Sequence, residues 1–216
     1  MDKEINIEKL NREEALRYMG IGGREADSRL LQIIEECEQE LLDTIRPKYV
    51  YRVFDKEQLR LPGNDIRNHI KGCEKAVLMC ATISGDVDKL IRTVQINDLS
   101  KAFVLDTLAS VAVEQVCEAV EKIISKEMPE YHMTWRYGVG YGDFSLDFQR
   151  QFINLVNAAK QIGVCVTSNN ILTPRKSVTC VIGLSKEKIL KGKRGCGSCN
   201  MAERCQYRKR GGHCGF

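Results

Sequence analysis

Residues 135–143 combine the residue types that bind a small, charged, aromatic molecule. The stretch holds three glycines, three large aromatic residues, one cation and one anion. Alternate glycines allow sharp turns and let a backbone approach a ligand closely. Arg136 offers a planar set of donors to a carboxylate or phosphate, and the aromatic faces can stack on a flat ring or meet a cation. The stretch fits a ligand with both a carboxylate and a base; a glycine-rich aromatic turn between strands is the alternative interpretation.

Four cysteines near the C-terminus form a second group that could do chemistry. Their spacing is Cys196-x2-Cys199-x5-Cys205-x8-Cys214. Thiolates two residues apart can bind one metal from a tight turn, and the surrounding lysines and arginines favour the thiolate form. Four sulfur ligands suit tetrahedral zinc or an iron–sulfur cluster, with His213 as a substitute ligand. A Cys-rich tail without a metal is the alternative.

The other six cysteines stand singly, and most have apolar neighbours, so we expect small buried hydrophobic residues there. The N-terminus lacks the basic-then-apolar pattern of a signal peptide, which argues against a disulfide framework. No apolar run approaches the ~20 residues that cross a bilayer. We therefore expect a cytoplasmic protein.

Charge is unevenly distributed along the 216 residues. The formal net charge of +4 is too small to specify a partner. Residues 186–210, however, hold nine Lys or Arg and two acidic residues. Such a tail can bind nucleic acid or an acidic protein surface, or it can be a solvated segment.

Hydrophobic periodicity predicts the elements that must position Arg136. Helices are predicted from Asn11 to the glycines at 20–23 and over roughly 25–45, 64–70, 86–96, 99–126 and 146–159. Strands are predicted at 49–54, 76–83, 164–167 and 177–183, the second of them central and buried. This order predicts an α+β fold, with a mixed or antiparallel sheet flanked by long helices, rather than alternating βαβ units.

Three motifs follow one another along the chain. The first is the helical segment 106–114, which ends at Glu114; the second is Arg136-x-x-x-Gly140-Tyr141. The third runs from Thr167 through the Pro-Arg-Lys-Ser-Val of 174–178. Together they resemble the activation domain of cobalamin-dependent methionine synthase, in a free-standing form with a Cys-rich tail. The chain departs from the family pattern after Tyr141, where Gly-Asp-Phe replaces Pro-Ala-Cys-Pro.

The resemblance covers roughly residues 5–185, and it implies a division into an activation-like domain, 1–185, and a basic Cys-rich tail, 186–216. It also implies a site for S-adenosylmethionine. In that site Arg136 would bind the carboxylate, Glu114 the ammonium or a ribose hydroxyl, and Tyr141 the sulfonium or the methyl group. Two glycines complete the site: Gly138 and Gly140 would let the main chain reach the adenine or the methionine tail.

The same resemblance implies a repair function. The chain would hold S-adenosylmethionine so that its methyl group reaches cobalt during reductive methylation of cob(II)alamin. The chain lacks an Asp-x-His-x-x-Gly motif, so the cobalamin would belong to a partner, a methionine synthase or related corrinoid protein. Flavodoxin or ferredoxin would be the electron donor, and the chain would be the activation component of a methyltransferase.

Two alternative functions depend on the cysteine tail. In the first, the tail holds a 4Fe–4S cluster and the chain is a reductive activator of corrinoid methyltransferases that needs no S-adenosylmethionine. Family context favours this cluster over zinc, because corrinoid systems of anaerobes need low-potential electrons. In the second, zinc stabilises the tail and the chain is a nucleic-acid-binding module whose affinity falls with salt.

Overall fold

Two long apolar strands form the centre of the sheet. The computed structural model describes residues 4–21, 26–189 and 203. Strands β2 (Lys75–Thr82) and β7 (Ser177–Ser185) pair antiparallel along their whole length. Nearly every residue of both strands is buried, because helices cover the two faces of the sheet. The prediction of a central strand at 76–83 is confirmed.

Three further strands complete this sheet. β1 (Lys48–Asp55) pairs antiparallel with β2, whereas β3 (His132–Met133) and β4 (Tyr137–Gly138) pair one after the other with the far edge of β7. Sequence periodicity did not predict β3 or β4, because each has two residues. The predicted strand at 164–167 is the short β5 (Cys165–Val166), which pairs with β6 (Leu172–Thr173) in a separate sheet.

Four helices cover one face of the main sheet. They are α1 (Arg12–Tyr18), α2 (Ser28–Thr44), α4 (Gly85–Asn97) and α5 (Leu99–Glu127). The apolar side of α5 packs on residues of β2 and β7, including Met79 and Ile182. α1 begins where the sequence predicted, since the side chain of Asn11 accepts a hydrogen bond from the Glu14 amide.

Shorter helices cover the other face. They are α3 (Asn64–His69), α6 (Gln149–Val156) and α7 (Ala158–Ile162). A row of rings, Phe144, Phe148 and Phe152, fills this second core. The single helix predicted over 146–159 is wrong: a short 3-10 turn precedes α6, and Asn157 then adopts a left-handed backbone (φ 55°) that ends it.

The predicted fold class is confirmed. Every strand pair in the described part of the chain is antiparallel, and long helices flank the sheet. Five of the six single cysteines are buried, and Cys165 is exposed. Among the described residues, none of the helices combines the length and apolar character of a membrane span.

Candidate functional site

Arg136 lies in an irregularity of the sheet between β3 and β4. β3 pairs Met133 with Leu184, and β4 pairs Tyr137 with Val181, so three residues of this edge stand opposite two of β7. One extra residue reverses the alternation of side chains beyond it. Tyr137 therefore packs in the second core, while Arg136 lies on the face that α5 covers.

The bulge is held by contacts with β7 and with α3. The Thr134 amide donates to the Gly183 carbonyl (2.9 Å), and the Gly183 amide donates to the Thr134 hydroxyl (2.8 Å). From α3, Nε2 of His69 lies 2.8 Å from the Trp135 carbonyl oxygen, and the centroids of the His69 and Trp135 rings are 4.3 Å apart. The backbone on which Arg136 stands is thus positioned by β7 and by α3.

Arg136 bridges two glutamates of α5. Its Nη2 donates to Glu114 Oε2 at 2.8 Å, and its Nη1 donates to Glu121 Oε2 at 2.5 Å. The Arg136 side chain is 10% exposed, against 21% for Glu121 and 39% for Glu114. The structure therefore brings together two of the predicted site residues, Arg136 and Glu114, from motifs that lie on different elements.

The cluster of Arg136, Glu114 and Glu121 carries a formal net charge of −1. Burial alone would lower the pKa of Arg136, but the carboxylates of Glu121 and Glu114 outweigh that effect and raise the pKa above its ordinary value. Beneath them, burial raises the pKa of the Cys117 and Cys180 thiols, which are therefore neutral at neutral pH. The cluster can attract a cation, and it can accept an anion where that anion replaces a glutamate.

Tyr18, at the end of α1, borders the same cluster. Burial, together with the nearby carboxylates of Glu14 and Glu114, raises the pKa of Tyr18 to about 12. The Arg17 guanidinium lies over the Tyr18 ring, 4.8 Å from its centroid. The Tyr18 hydroxyl already bonds to the Glu14 carboxylate, so what this phenol adds near Glu114 is an aromatic face.

Gly138 and Tyr141 lie on the same side of β4 as Arg136. Because side chains alternate, a Cβ on Gly138 would face α5, and it would lie 2.9 Å from Cδ2 of Tyr141. The Tyr141 ring occupies this space and is nevertheless 68% exposed. Because the Tyr141 ring is exposed and packs over a residue without a side chain, it can move to cover a ligand. This role fits the predicted contact of Tyr141 with the sulfonium or the methyl group.

Gly140 forms the tight turn that follows β4. Its φ of +92° belongs to the region that favours glycine, and its amide donates to the Phe144 carbonyl at 2.8 Å. The turn then returns to α3, because the Asp143 carboxylate accepts from the amides of Asn64 (2.6 Å) and Asp65 (2.9 Å). These backbone donors lower the pKa of Asp143.

The third motif contacts the first. Lys176 donates to the Asp106 carbonyl and to the Ser110 hydroxyl, both at 2.9 Å, and it pairs with the Asp106 carboxylate at 2.9 Å. Ser177 donates to the Thr82 hydroxyl at 2.9 Å. The Lys176 contacts hold the start of β7 against α5, and the Ser177 contact holds it against β2, so these residues of the third motif support the site.

Sequence reasoning assigned no site role to three residues of this region, Glu121, Tyr18 and Asp143, although Asp143 was counted as the anion of the 135–143 stretch. Glu121 could have been found, since it lies seven residues after Glu114 and two helical turns bring it to the same face. The proximity of Tyr18 to Glu114, and the contacts of Asp143 with α3, had no such indication, because Glu114 and α3 lie far away in the chain.

Within the described part of the chain, open clefts also occur away from Arg136, and two of them can be located. The larger, of about 790 Å³, lies between the segment before α1 and the acidic side of α2, and includes Glu8, Arg12 and Glu36. The smaller, of about 370 Å³, includes Asp55, Lys75 and Tyr131. Among the described residues no group of three His, Cys, Asp or Glu side chains could hold a metal ion. The predicted ligands Cys196, Cys199, Cys205 and Cys214 lie outside the described residues, and that prediction stays untested.

Comparison with known proteins identifies the fold. No protein-family model and no curated protein matches the chain. Among solved structures, the chain is similar to a crystal structure of the MetH reactivation domain bound to AdoHcy. The match covers 98% of this chain and 86% of that chain, with a TM-score of 0.62 and 14% identity. The chain therefore has a methionine synthase activation-domain fold, as its sequence motifs indicated.

Proposed function

We propose that this chain binds S-adenosylmethionine and holds its methyl group for the reductive methylation of cob(II)alamin on a partner. The partner would be a cobalamin-dependent methionine synthase or a related corrinoid protein. The observation that carries the proposal is the ion pair between Arg136 and Glu114, which joins two motifs in a chain whose fold is that of an AdoHcy-bound domain. Glu114, Arg136, Gly138, Gly140 and Tyr141 are the proposed ligand residues.

The proposed role of the chain is to position the methyl donor. A methyl transfer from a sulfonium to cobalt needs no general base, and orientation alone can supply a large part of a rate enhancement. The Arg136 side chain is largely buried and is held by two carboxylates of one long packed helix, so it offers a rigid anchor for the amino-acid end of the ligand. The Tyr141 ring is exposed over Gly138, two residues after Arg136, and would cover the sulfonium.

The partner and the tail extend the proposal. Cobalamin would be carried by the partner chain, with flavodoxin or ferredoxin as the electron source. Cys196, Cys199, Cys205 and Cys214 would bind a 4Fe–4S cluster or zinc, as a unit separate from the activation-like domain. Metal analysis and an optical spectrum of protein purified without oxygen would distinguish iron from zinc.

Titration with S-adenosylmethionine tests the proposal. The single tryptophan of the chain, Trp135, precedes Arg136, so its fluorescence is expected to report binding. In Arg136→Lys the charge remains but the planar fork is lost, and we expect affinity to fall about tenfold or more. Saturable binding to the wild type with this loss supports the proposal.

Arg12→Lys is the matched control. Arg12 also pairs with a buried glutamate, since its Nε donates to Glu38 at 2.5 Å, but this pair lies at the start of α1. We expect Arg12→Lys to leave the affinity unchanged. The absence of binding by the wild type would contradict the proposed function, and equal losses in both variants would contradict the proposed site.

A further inference from the structure

The two glutamates that hold Arg136 are not equivalent. The contact to Glu121 is shorter, 2.5 Å against 2.8 Å, and Glu121 is about half as exposed as Glu114. Releasing a carboxylate is least costly where water can solvate it. Glu114 is therefore the partner that Arg136 can exchange, and Glu121 is the partner that it retains.

We propose that a ligand carboxylate displaces Glu114 from Arg136, that the freed Glu114 then binds the ligand's ammonium group, and that Glu121 is a positioning residue that holds Arg136 throughout. This inference rests on the proposed function and specifies which ligand end the site accepts. The selected group is a free α-amino acid, in which a carboxylate and an ammonium are borne by one carbon.

The charges of the site explain the selectivity. A carboxylate that replaces Glu114 brings a third anion to a cluster that already carries a formal charge of −1. Without a cation next to it, the incoming carboxylate and Glu114 repel one another at short distance. An ammonium on the same ligand removes that repulsion, because one ion pair is exchanged for two.

The geometry of α5 supports separate roles for its two glutamates. They are two turns apart on one face of a 29-residue helix that is buried along its apolar side. The guanidinium spans both, so it keeps one carboxylate when the other leaves. Cys117, between them, is buried with a neutral thiol and supplies no competing charge.

A ligand series tests the inference on the full chain. The probes are S-adenosylhomocysteine, its deaminated counterpart, which retains the carboxylate, and its decarboxylated counterpart, which retains the ammonium. All three lack the sulfonium charge, so differences in affinity report the amino-acid end alone. We expect both truncated compounds to bind the wild type about tenfold or more weakly than the parent.

Two glutamine variants separate the two roles. In Glu114→Gln the competitor and the ammonium partner are both removed, so the deaminated compound should bind about tenfold tighter than it binds the wild type. In Glu121→Gln the retained partner is weakened, so both carboxylate-bearing compounds should bind more weakly. Glutamine is a good helix former, and circular dichroism checks the fold. Glu118→Gln, an exposed change on the same helix, is the control and should change none of the affinities.

The outcomes distinguish this inference from the proposed function. If S-adenosylhomocysteine binds the wild type but the deaminated compound binds Glu114→Gln no tighter than the wild type, the exchange is overturned and the proposed function remains. If the wild type binds all three compounds with equal affinity, the proposed exchange of Glu114 for a ligand carboxylate is overturned by the wild-type data alone. If S-adenosylhomocysteine fails to bind the wild type, the inference and the proposed function both fail.

Discussion

Arg136 illustrates how the surroundings of a residue determine what it can bind. The sequence predicts that Arg136 donates to the carboxylate of a ligand. In the folded chain, however, its guanidinium already pairs with the carboxylates of two glutamates. Its burial would be unfavourable without them, because an unpaired buried guanidinium loses its hydration. In the proposed exchange, the same carboxylates that stabilise Arg136 would also take part in ligand selection.

Gly138 gives a test at the scale of one residue. In Gly138→Ala the new Cβ takes the space of the Tyr141 ring, which must move away from its position over β4. Because the ring is exposed, we expect stability to change by less than about 1 kcal/mol, whereas affinity for S-adenosylmethionine falls several-fold. Fluorescence titration and thermal unfolding measure the two effects.

Gly72→Ala is the control for this substitution. A Cβ at Gly72 meets no atom within 4 Å, so both affinity and melting temperature should match the wild type. An affinity for Gly138→Ala equal to that of Gly72→Ala would show that the position of Tyr141 has no part in binding.

At the scale of elements, the loop after β4 is fastened to α3 by Asp143. Its carboxylate accepts two amides at the start of that helix, where backbone donors lack helical partners. In return, the Asp143 amide donates to Asp65 Oδ2 at 3.2 Å. The link joins the candidate ligand loop to the aromatic cluster of His69, Trp135 and Tyr137.

This link predicts a dependence of stability on pH. The folded pKa of Asp143 is lowered by the backbone donors, so the unfolded chain takes up its proton first as the pH falls. The contribution of Asp143 is therefore complete above the ordinary aspartate pKa, and it is lost as pH falls through the folded pKa. We expect the difference in melting temperature between wild type and Asp143→Asn to shrink below about pH 4.

Asp143→Ala separates the charge from the hydrogen bonds. The asparagine side chain of the Asp143→Asn variant keeps an acceptor oxygen, so at neutral pH the melting temperatures should fall in the order wild type, Asp143→Asn, Asp143→Ala. A wild-type advantage over Asp143→Asn that stays constant down to acid pH would contradict the assignment.

At the scale of the whole molecule, one sheet separates two hydrophobic cores. The residues of β2 and β7 alternate between them, so that Val77, Met79 and Ile182 belong to one core and Leu78, Cys80 and Val181 to the other. The candidate site lies where the β3–β4 edge of the sheet meets α5. Movement of that edge would disturb both cores, which favours a rigid site.

The division into a domain and a tail predicts that the domain folds alone. Ile189 packs against the second core, and the Lys186 amide donates to Glu74 at 3.1 Å, so a cut should follow residue 189 rather than 185. We expect the shortened chain to keep its melting temperature within a few degrees and its affinity for S-adenosylmethionine within about twofold. Thermal unfolding and titration test this.

Metal content provides the matching measurement on the tail. The full chain should contain iron or zinc, whereas the shortened chain should contain neither. Loss of S-adenosylmethionine binding in a shortened chain that still unfolds cooperatively would contradict the proposed independence of the two parts.

Much of the architecture was readable from local patterns along the chain. The 3.6-residue period of α5, the Asn11 cap and the apolar run of β2 depend on neighbouring residues, so they predicted elements that the structure contains. The aromatic and glycine content around Arg136 predicted a binding loop as well, and that remains a prediction. Asn157 was the exception, since its left-handed backbone divides a helix that the pattern predicts as continuous.

The arrangement of the site depended on residues far apart in the chain. Alternation alone would place Arg136 on the opposite face of the sheet, and it faces α5 because an extra residue enters the pairing with β7, about 45 positions away. Glu121 and Asp143 acquire their partners in the same way, across 15 and 78 or more residues. Period and propensity act between neighbouring residues, whereas register and ion pairing follow from how whole elements pack. The arrangement of the charged residues around Arg136 was therefore decided only by the tertiary structure.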